Sequence, residues 1–571
     1  MHQLVHIPEV IALMSQVSFY CPSRSAYPIS EHVASLLNIK ASENRVYAKK
    51  NTAMWVPTWR EMEKLLAGDE RLPTNLLSKF PQCCTVCNKR ETAKMFHMCR
   101  KIDPAEFTFW PETYLLPGDM EALVSVFYEQ KHRNAKGKKL KNKRKKKNTF
   151  IIKPQDGAQG DGIFLVQTWK DLESKLAGKR QENFLAQRYL ENPLTIEDKK
   201  FDLRVYLLIT RLSPNLEVWL CKEGMVRLCT EDYKKPKSSN LHNVCSHLTN
   251  YSLNKRSDNY DHSHEDGKGS KRTLSSLFES LSTYGIDVGM FQEELEELGY
   301  KTAEAMSPYL QHNCNRHLPL TGGSGQCWQI LGLDVMAESS TSGYKLHLLE
   351  INSNPSMAID EICTFQDLTP REREIIPSKK FWVNGVGEPC NCRDGRAGHI
   401  HRVSHVDRRI KESVLAGALS IVLPRVKSKW ASKNYEAVSR YQSSYVKLIG
   451  RPSGSYLVVD GLRKKYESLI GMDRRFEERK NMNSLKPLGA YKFRKFAKEL
   501  LSVPRAHKSS MSILQADMLF SRKKSEIEGP FNFESFIDLM LGSFVPQAFP
   551  DLFPRDSPWS ANSLMNVLQL Q

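Results

Sequence analysis

Two acids and an amide carry the strongest chemical signal in the chain: Asp334 in QILGLDVM, and Glu350 and Asn352 in KLHLLEINSNPSM. Both stretches read as buried strands, each an apolar run interrupted by a polar group. Residues two apart on a strand point the same way, so Glu350 and Asn352 share a face. A polar loop from Ala337 to Gly343 would fold the two runs into a hairpin and gather three oxygen donors. Oxygen-only ligands suit Mg²⁺, and Mg²⁺ held by few side chains usually also holds nucleotide phosphates. The plainer alternative is two core strands with incidental polar ends.

The nucleotide side lies upstream. TFIIKPQDGAQGDGIFLVQ is an apolar strand, a glycine loop and a second strand. Gly157, Gly160 and Gly162 leave the loop free of side-chain bulk, so backbone N–H groups can close over phosphates. No G-K-[ST] opens a helix here, which excludes a P-loop. Lys153, at the end of its strand, is placed to reach a phosphate. Gln187 to Leu190 in ENFLAQRYLENP read as an exposed-type segment whose backbone could pair with adenine. KFDLRVYLLIT alternates: Phe201, Leu203, Val205 and Leu207 on one face, Asp202, Arg204 and Tyr206 on the other. An Asp and an Arg on a core-grade strand cost desolvation energy without a partner, and an ATP–Mg²⁺ complex would be one.

With these pieces in order, the chain resembles the tubulin tyrosine ligase-like family of ATP-grasp amino-acid ligases. The resemblance runs from roughly Thr92 to Pro424 and rests on FTFWPETYLLP, IIKP with GAQGDGI, QRYLENPLTI, KFDLRVYLLI, SHLTNYSLNK, GSKRTLSSL and LEINSNPSM. Within the family it is most similar to the polyglutamylases, in particular those that elongate glutamate chains. The resemblance implies an α/β ATP-grasp fold, two α/β halves clamping ATP, with a small N-terminal α/β domain and a basic, mainly helical C-terminal extension. It assigns Lys153, Gln159 and Gly160 to the phosphates, and Gln187, Arg188, Tyr189 and Leu190 to adenine. Lys200, Phe201, Asp202, Thr249 and Asn250 fall to the nucleotide site, with Asp202 and Arg204 facing the triphosphate. Asp334, Glu350 and Asn352 would hold Mg²⁺. Arg227, Tyr251 and Lys271 would hold free L-glutamate, whose two carboxylates need cations; Gln159 also falls on the acceptor side. Arg204, Arg227 and Lys271 are the candidate catalytic cations. In the family, branch-initiating enzymes tend to carry arginine at the position of Gln159 and elongating ones glutamine. The alternatives are a glycine ligase and a microtubule-binding protein with little catalysis, the latter disfavoured by the presence of Lys153, Asp334 and Glu350.

Composition bounds the rest. The chain has 571 residues, is 40% hydrophobic and carries a net charge of +19, so it reads as a globular, multidomain protein. The basic charge is local. The run 131–148 contains eleven lysines and arginines and no acid, and 425–508 contains 21 against seven acids. No RNA- or DNA-binding module is visible, so nucleic acid is not the expected partner; the resemblance points instead to tubulin and the acidic microtubule surface. No run reaches membrane-span length, and the N-terminal MHQLVHIPEVIALMSQ lacks the features of a secretory signal. Thirteen scattered cysteines fit free thiols in a reducing cytosol. A monomer in the cytoplasm, on microtubules and at the cilium and basal body is the expectation the family brings.

The expected divisions are 1–117 (N-terminal α/β), 118–205 (central, with the lysine run inserted), 206–424 (second ATP-grasp half) and 425–571 (basic helical extension). LEVWLCKEGMVRLCTEDY reads as a hairpin turning at Lys222–Gly224. Cys84, Cys87, His97 and Cys99 have a spacing compatible with zinc, but the helical stretch from Lys89 argues for plain thiols. Cys390, Cys392, His399, His401 and His405 are spaced irregularly. In GAYKFRKFAKELL, Phe493, Phe496, Leu500 and Leu501 should face a core while Lys492, Arg494, Lys495 and Lys498 stay wet.

Overall fold

The computed structural model describes residues 17–449 apart from 24, 44–52, 56–57, 59, 62–75, 103–105, 137–147, 156, 158–159, 213–215, 256, 258, 264, 319–326, 341–342, 364–382, 385–387 and 390–399. Further on it describes 489–502, 511–525, 535–536 and 539–540. Gln159, most of the lysine run, and Cys390, Cys392 and His399 therefore lie outside the described residues. The chain divides into two compact units. One comprises Met1–Thr92, Trp110–Gly299 and His317–Leu448; the other comprises Ala93–Phe109, Tyr300–Arg316 and Ile449–Gln571.

The first unit holds three larger sheets. A four-stranded parallel sheet orders β2 (Lys40–Ser42), β1 (Ser18–Tyr20), β3 (Ala53–Met54) and β4 (Leu76–Leu77), with the helix Tyr27–Leu36 crossing between β1 and β2. An antiparallel sheet orders β5 (Thr113–Leu115), β8 (Phe184–Arg188), β6 (Phe150–Pro154) and β7 (Phe164–Val166). Helices Met120–Lys136 and Trp169–Leu176 pack Leu123, Phe127, Leu172 and Leu176 onto one of its faces, against Phe150 and Ile152. Its other face, Ile151, Leu165 and Tyr189, packs on Leu248.

The third sheet has eight strands and is organised by one of them, β10 (Lys199–Arg211). Thirteen residues with apolar side chains at nearly every second position are long enough to pair with several partners in succession. Along one edge β9 (Thr195–Ile196) meets Lys199 and Lys200, then β14 (Gln329–Ser340) runs antiparallel from Val335 to Gln329. On the other edge β12 (Met225–Asp232) covers Lys199 to Arg204 and β11 (Glu217–Cys221) covers Leu207 to Arg211. β11 and β12 are thus consecutive partners of β10, not of each other. The expected hairpin at Lys222–Gly224 is corrected to a link between two strands on one edge. Glu223 fixes this link: its carboxylate accepts from the N–H groups of Gly224, Leu274 and Ser275 at 3.1, 2.8 and 3.2 Å.

Outside β12 lies β13 (Lys271–Thr273), outside β11 lies β20 (Tyr445–Leu448), and outside β14 lies β15 (Gly343–Asn352). The β14–β15 hairpin matches expectation, but the loop expected over 337–343 is mostly strand: pairing persists from Ala337↔Leu346 to Ser340↔Gly343. Polarity at a strand's exposed end does not interrupt its ladder. β20 was not expected either, since 425–571 reads as helix and loop. Short antiparallel pairs, β16 (Asp360–Cys363) with β19 (Ile400–Val403) and β17 (Val383–Asn384) with β18 (Glu388–Pro389), complete the strands among the described residues.

The 18-residue helix His405–Val422 is buried along Ile410, Val414, Leu415, Ala418 and Leu419, which join Phe19, Ile29, Val33, Tyr206 and Leu208 in one core. Among the described residues no helix is long and apolar enough to cross a membrane.

In the second unit Phe96 packs on Phe107 and Phe109 at 6.3 and 5.5 Å between ring centroids. Helices Ala490–Ser502 and Ile513–Ser525 meet through Phe493 stacked on Phe520 at 4.8 Å. Phe493 and Phe496 are buried and Lys492, Arg494, Lys495 and Lys498 exposed, as the amphipathic pattern requires. The side chains of Leu500 and Leu501 lie outside the described residues.

Candidate active site

The register of β10 dictates an alternating lattice of charges. Asp202 and Arg204 share a face. Asp202 stands opposite Arg227 of β12, and Arg204 opposite Asp334 of β14. Arg227 grips Asp202 with two parallel bonds, Nε to Oδ1 at 2.8 Å and Nη2 to Oδ2 at 2.6 Å. Arg204 grips Asp334 in the same forked way through Nε and Nη2. Arg227 Nη2 also lies 2.9 Å from Asp334 Oδ2, which closes the lattice. Burial alone would raise the pKa of Asp334, but Arg204 and then Arg227 overcome it and hold the carboxyl well below its usual range. Among the described residues neither arginine donates a hydrogen bond through Nη1, so each guanidinium keeps an uncommitted edge. Gly332, the neighbour of Asn352 across the hairpin, makes room for this arrangement: a Cβ there would stand 2.9 Å from Arg204 Cδ.

Glu350 lies opposite Asp334, beside a bulge between Asp334 and Val335. With its amide turned to satisfy both ends, Asn352 donates to Glu350 Oε1 at 3.3 Å and accepts from Arg204 Nη2 at 3.1 Å. Among the described residues Glu350 forms no ion pair, in contrast to Asp334. The three predicted oxygen donors are therefore adjacent. They fit a hard divalent cation: Glu350 meets only the Asn352 amide, and Asp334 Oδ1 faces a single arginine nitrogen and keeps a second lone pair.

Two buried lysines lie beside this cluster, Lys153 near Glu350 and Lys200 near Asp202. Lys153 Nζ donates to Gln187 Oε1 at 2.7 Å and reaches Leu349 O at 3.4 Å. It lines a small pocket together with Gln187, Glu350 and Lys89. Burial brings its pKa down to about 8, partly offset by Glu350. Lys200 donates to Tyr189 Oη at 2.9 Å and His247 O at 2.8 Å, and burial likewise brings it to about 8. Phe201 points into the core, 1% exposed, so any role it has is through its backbone. The glycine loop packs on the turn that follows Thr249: Gly160 has φ +85°, and a Cβ there would lie 2.8 Å from Leu253 and 3.3 Å from Asn250. Lys89 Nζ holds the loop through Gly157 O at 2.5 Å.

The segment Gln187–Leu190 differs from expectation. It is not exposed: Gln187, Tyr189 and Leu190 are buried, and only Arg188 faces solvent. Gln187 sits mid-sheet between Thr113 and Ile151. The Arg188 N–H is taken by Glu112 O at 2.7 Å and the Tyr189 N–H by Thr149 O at 2.9 Å. Leu190 alone of the four keeps a backbone N–H without such a partner among the described residues. The exposed-type reading is corrected: the segment ends a central strand with apolar alternation and is largely buried.

Lys271, opposite Arg227 in the sheet, anchors a second charged cluster. Its Nζ pairs with Asp407 Oδ2 at 2.6 Å, lies 3.8 Å from Glu361 Oε2, and sits 4.6 Å above the Tyr251 ring. Burial would lower the pKa of Lys271, but Asp407, Tyr260, Tyr251 and Glu361 together raise it above its ordinary value. Asp407 also pairs with Lys411 at 2.6 Å, and its own pKa is held well below normal by the two lysines despite burial. Tyr251 therefore supports Lys271 from beneath. Asp407, Glu361 and Lys411 were not anticipated. The one legible signal was S-H-V-D, a helix-start pattern in which Ser404 caps the Asp407 N–H at 3.3 Å. Among the described residues no cluster of three or more His, Cys, Asp or Glu could hold a metal ion, the Cys84, Cys87, His97 and Cys99 group included.

The model of the tubulin-tyrosine ligase family matches residues 68–365, just over half of the chain. The chain belongs to that family, whose match begins and ends earlier than the motifs suggested. It is 34% identical over 311 residues to the Mus musculus tubulin polyglutamylase TTLL11, covering 54% of this chain and 40% of that protein. It is 35% identical over 288 residues to the Homo sapiens tubulin polyglutamylase TTLL7, covering 50% of this chain and 30% of the relative. It is 33% identical over 284 residues to the Danio rerio tubulin polyglutamylase ttll6, covering 50% and 33%. The chain thus spans less than half the length of these curated relatives.

Proposed function

We propose that the chain is a tubulin polyglutamylase, an ATP-dependent ligase that joins free L-glutamate to glutamate side chains on tubulin tails. The observation that carries this reading is the convergence of the Asp202–Arg227–Asp334–Arg204 lattice, Glu350 and Lys153. ATP would phosphorylate the acceptor carboxylate to an acyl phosphate, and the amine of free glutamate would then displace phosphate and leave an amide. Mg²⁺, held by Asp334, Glu350 and Asn352, would supply charge neutralisation at the transferring phosphoryl group. The uncommitted guanidinium edges of Arg204 and Arg227 are suited to the anionic reactants, and Lys153 and Lys200 to the nucleotide. Leu190 is the strongest of the four adenine candidates.

The finer reading makes the enzyme an elongating one, through Gln159, acting as a monomer. It keeps the divisions 1–117, 118–205, 206–424 and 425–571, with the basic extension docking on microtubules in the cytoplasm, cilium and basal body. Neither nucleic acid nor membrane insertion enters it. The test is mass spectrometry of tubulin incubated with the protein, ATP, Mg²⁺ and labelled glutamate or glycine. Glutamate incorporation is expected; preferential glycine incorporation would move the chain to a glycylating reading. A Gln159→Arg variant should raise the rate on unmodified tail peptides relative to singly glutamylated ones.

A further inference from the structure

The ladder that carries the three oxygen donors ends where they do. Gly332 opposite Asn352 is the last pair of β14 with β15, and past Asn352 the strand has no further partner among the described residues. A side-chain clamp takes over there. Gln329 Nε2 donates to Ser353 O at 2.6 Å. Lys79 Nζ donates to the same oxygen and to Asn354 Oδ1, each at 3.3 Å. Pro355 then folds back on the hairpin, where a Cβ on Gly332 would stand 3.2 Å from Pro355 Cβ.

Lys79 comes to this turn from a different sheet. Leu77, at the end of β4, bridges Cys327 in parallel, and its carbonyl accepts from the Trp328 N–H at 2.9 Å. The Phe80 N–H donates to Gln329 Oε1 at 2.9 Å. Residues 77–80 therefore lie along 327–329, and backbone pairing, not a loose loop, delivers the lysine. Lys79 is only 7% exposed, and among the described residues it has no carboxylate within ion-pair range. Burial lowers its pKa, an effect that the neighbouring thiols of Cys83, Cys84 and Cys87 oppose. A buried cation without an acid is costly. Both oxygens that this one binds belong to the turn directly after the metal donors. On the other side Lys153 Nζ reaches Leu349 O at 3.4 Å, so Glu350 and Asn352 lie between two lysine-to-oxygen contacts.

We propose that Lys79 is a positioning residue of the divalent-metal site: by tying the Ser353–Asn354 turn to β4 it fixes the orientation in which Glu350 and Asn352 meet the cation. The proposal rests on the assignment of Mg²⁺ to these donors, and metal binding tests the two separately. The full chain with a non-hydrolysable ATP analogue is titrated with Mn²⁺, and the free ion is followed by electron paramagnetic resonance. A second titration with the analogue alone gives the metal-free nucleotide affinity. Groups that hold metal ligands in place tune metal affinity about 10–100-fold, so Lys79→Met should weaken Mn²⁺ about tenfold and leave metal-free nucleotide affinity unchanged. Lys79→Arg, which keeps charge and donors, should recover most of the loss. Asn354→Ala removes one acceptor at an exposed position and should weaken Mn²⁺ about threefold. Melting temperatures establish that each variant is folded, and Asn354→Ala carries the test should Lys79→Met melt early. Wild-type Mn²⁺ affinity in the folded variants would overturn the proposal. So would an equal loss of metal-free nucleotide affinity, which would mark a general loosening of the site. A wild type that holds no Mn²⁺ beyond that taken up by the analogue alone would overturn the metal assignment, and the proposal with it.

Discussion

The two charged clusters of the first unit are built in opposite ways. In the first, Asp202, Arg204, Arg227 and Asp334 are cross-strand neighbours, and the ladder of β10 alone brings them together. In the second, Lys271 comes from an edge strand, Glu361 from a short two-stranded pair, and Asp407 and Lys411 from a helix more than a hundred residues away. The first is a closed set in which every acid meets an arginine. The second depends on tertiary packing to bring its members together. Closure within one ladder suits a rigid electrostatic frame.

Glu350 sits beside the frame without being paired into it, and substitutions should separate the two conditions. Glu350→Gln is expected to give the largest functional effect. It should lower ligation by on the order of a thousandfold, because several kcal/mol of charge stabilisation is lost, while urea-unfolding stability stays near wild type. Retained ligation with ordinary ATP dependence would defeat the metal assignment. Asp334→Asn should instead destabilise the fold. It leaves Arg204 without a charged partner, at a cost toward the lower end of about 3–5 kcal/mol because Arg204 is partly exposed. An unchanged urea midpoint would mean the lattice is not a structural frame.

Lys153, beside the frame, offers a pH test. Its pKa falls from the ordinary 10.5 to about 8 in the folded chain. Between these values the unfolded chain binds more protons, so this group's contribution to stability rises with pH across the window. Lys153→Met should therefore be more stable than wild type below pH 8, by up to roughly 3 kcal/mol. The gain should shrink as pH approaches 10.5, while ATP affinity is lost at every pH. A stability difference independent of pH would show that Lys153 is not strained by burial. The smallest effect is expected from the second unit. Removing 449–571 should weaken microtubule co-sedimentation and its salt dependence several-fold while sparing basal ATP hydrolysis. Salt-insensitive binding of the intact chain would remove the electrostatic argument.

What the sequence made legible follows the same division. Strand periodicity exposed the acids of β14 and β15 and the alternation of β10, and motif order exposed the family. Asp407 and Glu361 were invisible because nothing local marks an acid that will be delivered to a distant lysine by a helix or a short strand. Lys222–Gly224 was read as a hairpin because a turn between two apolar runs looks the same whether they pair together or line up along a third strand. Gln187–Leu190 reads as exposed because burial on both sides of a strand depends on partners remote in sequence. The oxygen donors at Asp334, Glu350 and Asn352 were found because one hairpin carries all three.

β20 deserves to be considered as a question of modularity. The family match ends at residue 365, yet among the described residues the strand that covers β11 on its outer side is Tyr445–Leu448. A fragment cut at the family boundary would carry a bare row of backbone donors and acceptors along Val218 to Cys221, an invitation to intermolecular strand pairing. It would also lack Asp407, the clamp on Lys271. The portable unit, for a chimera that exchanges this domain for a relative's, therefore extends through Leu448, and insolubility of anything shorter would be a property of the cut rather than of the fold.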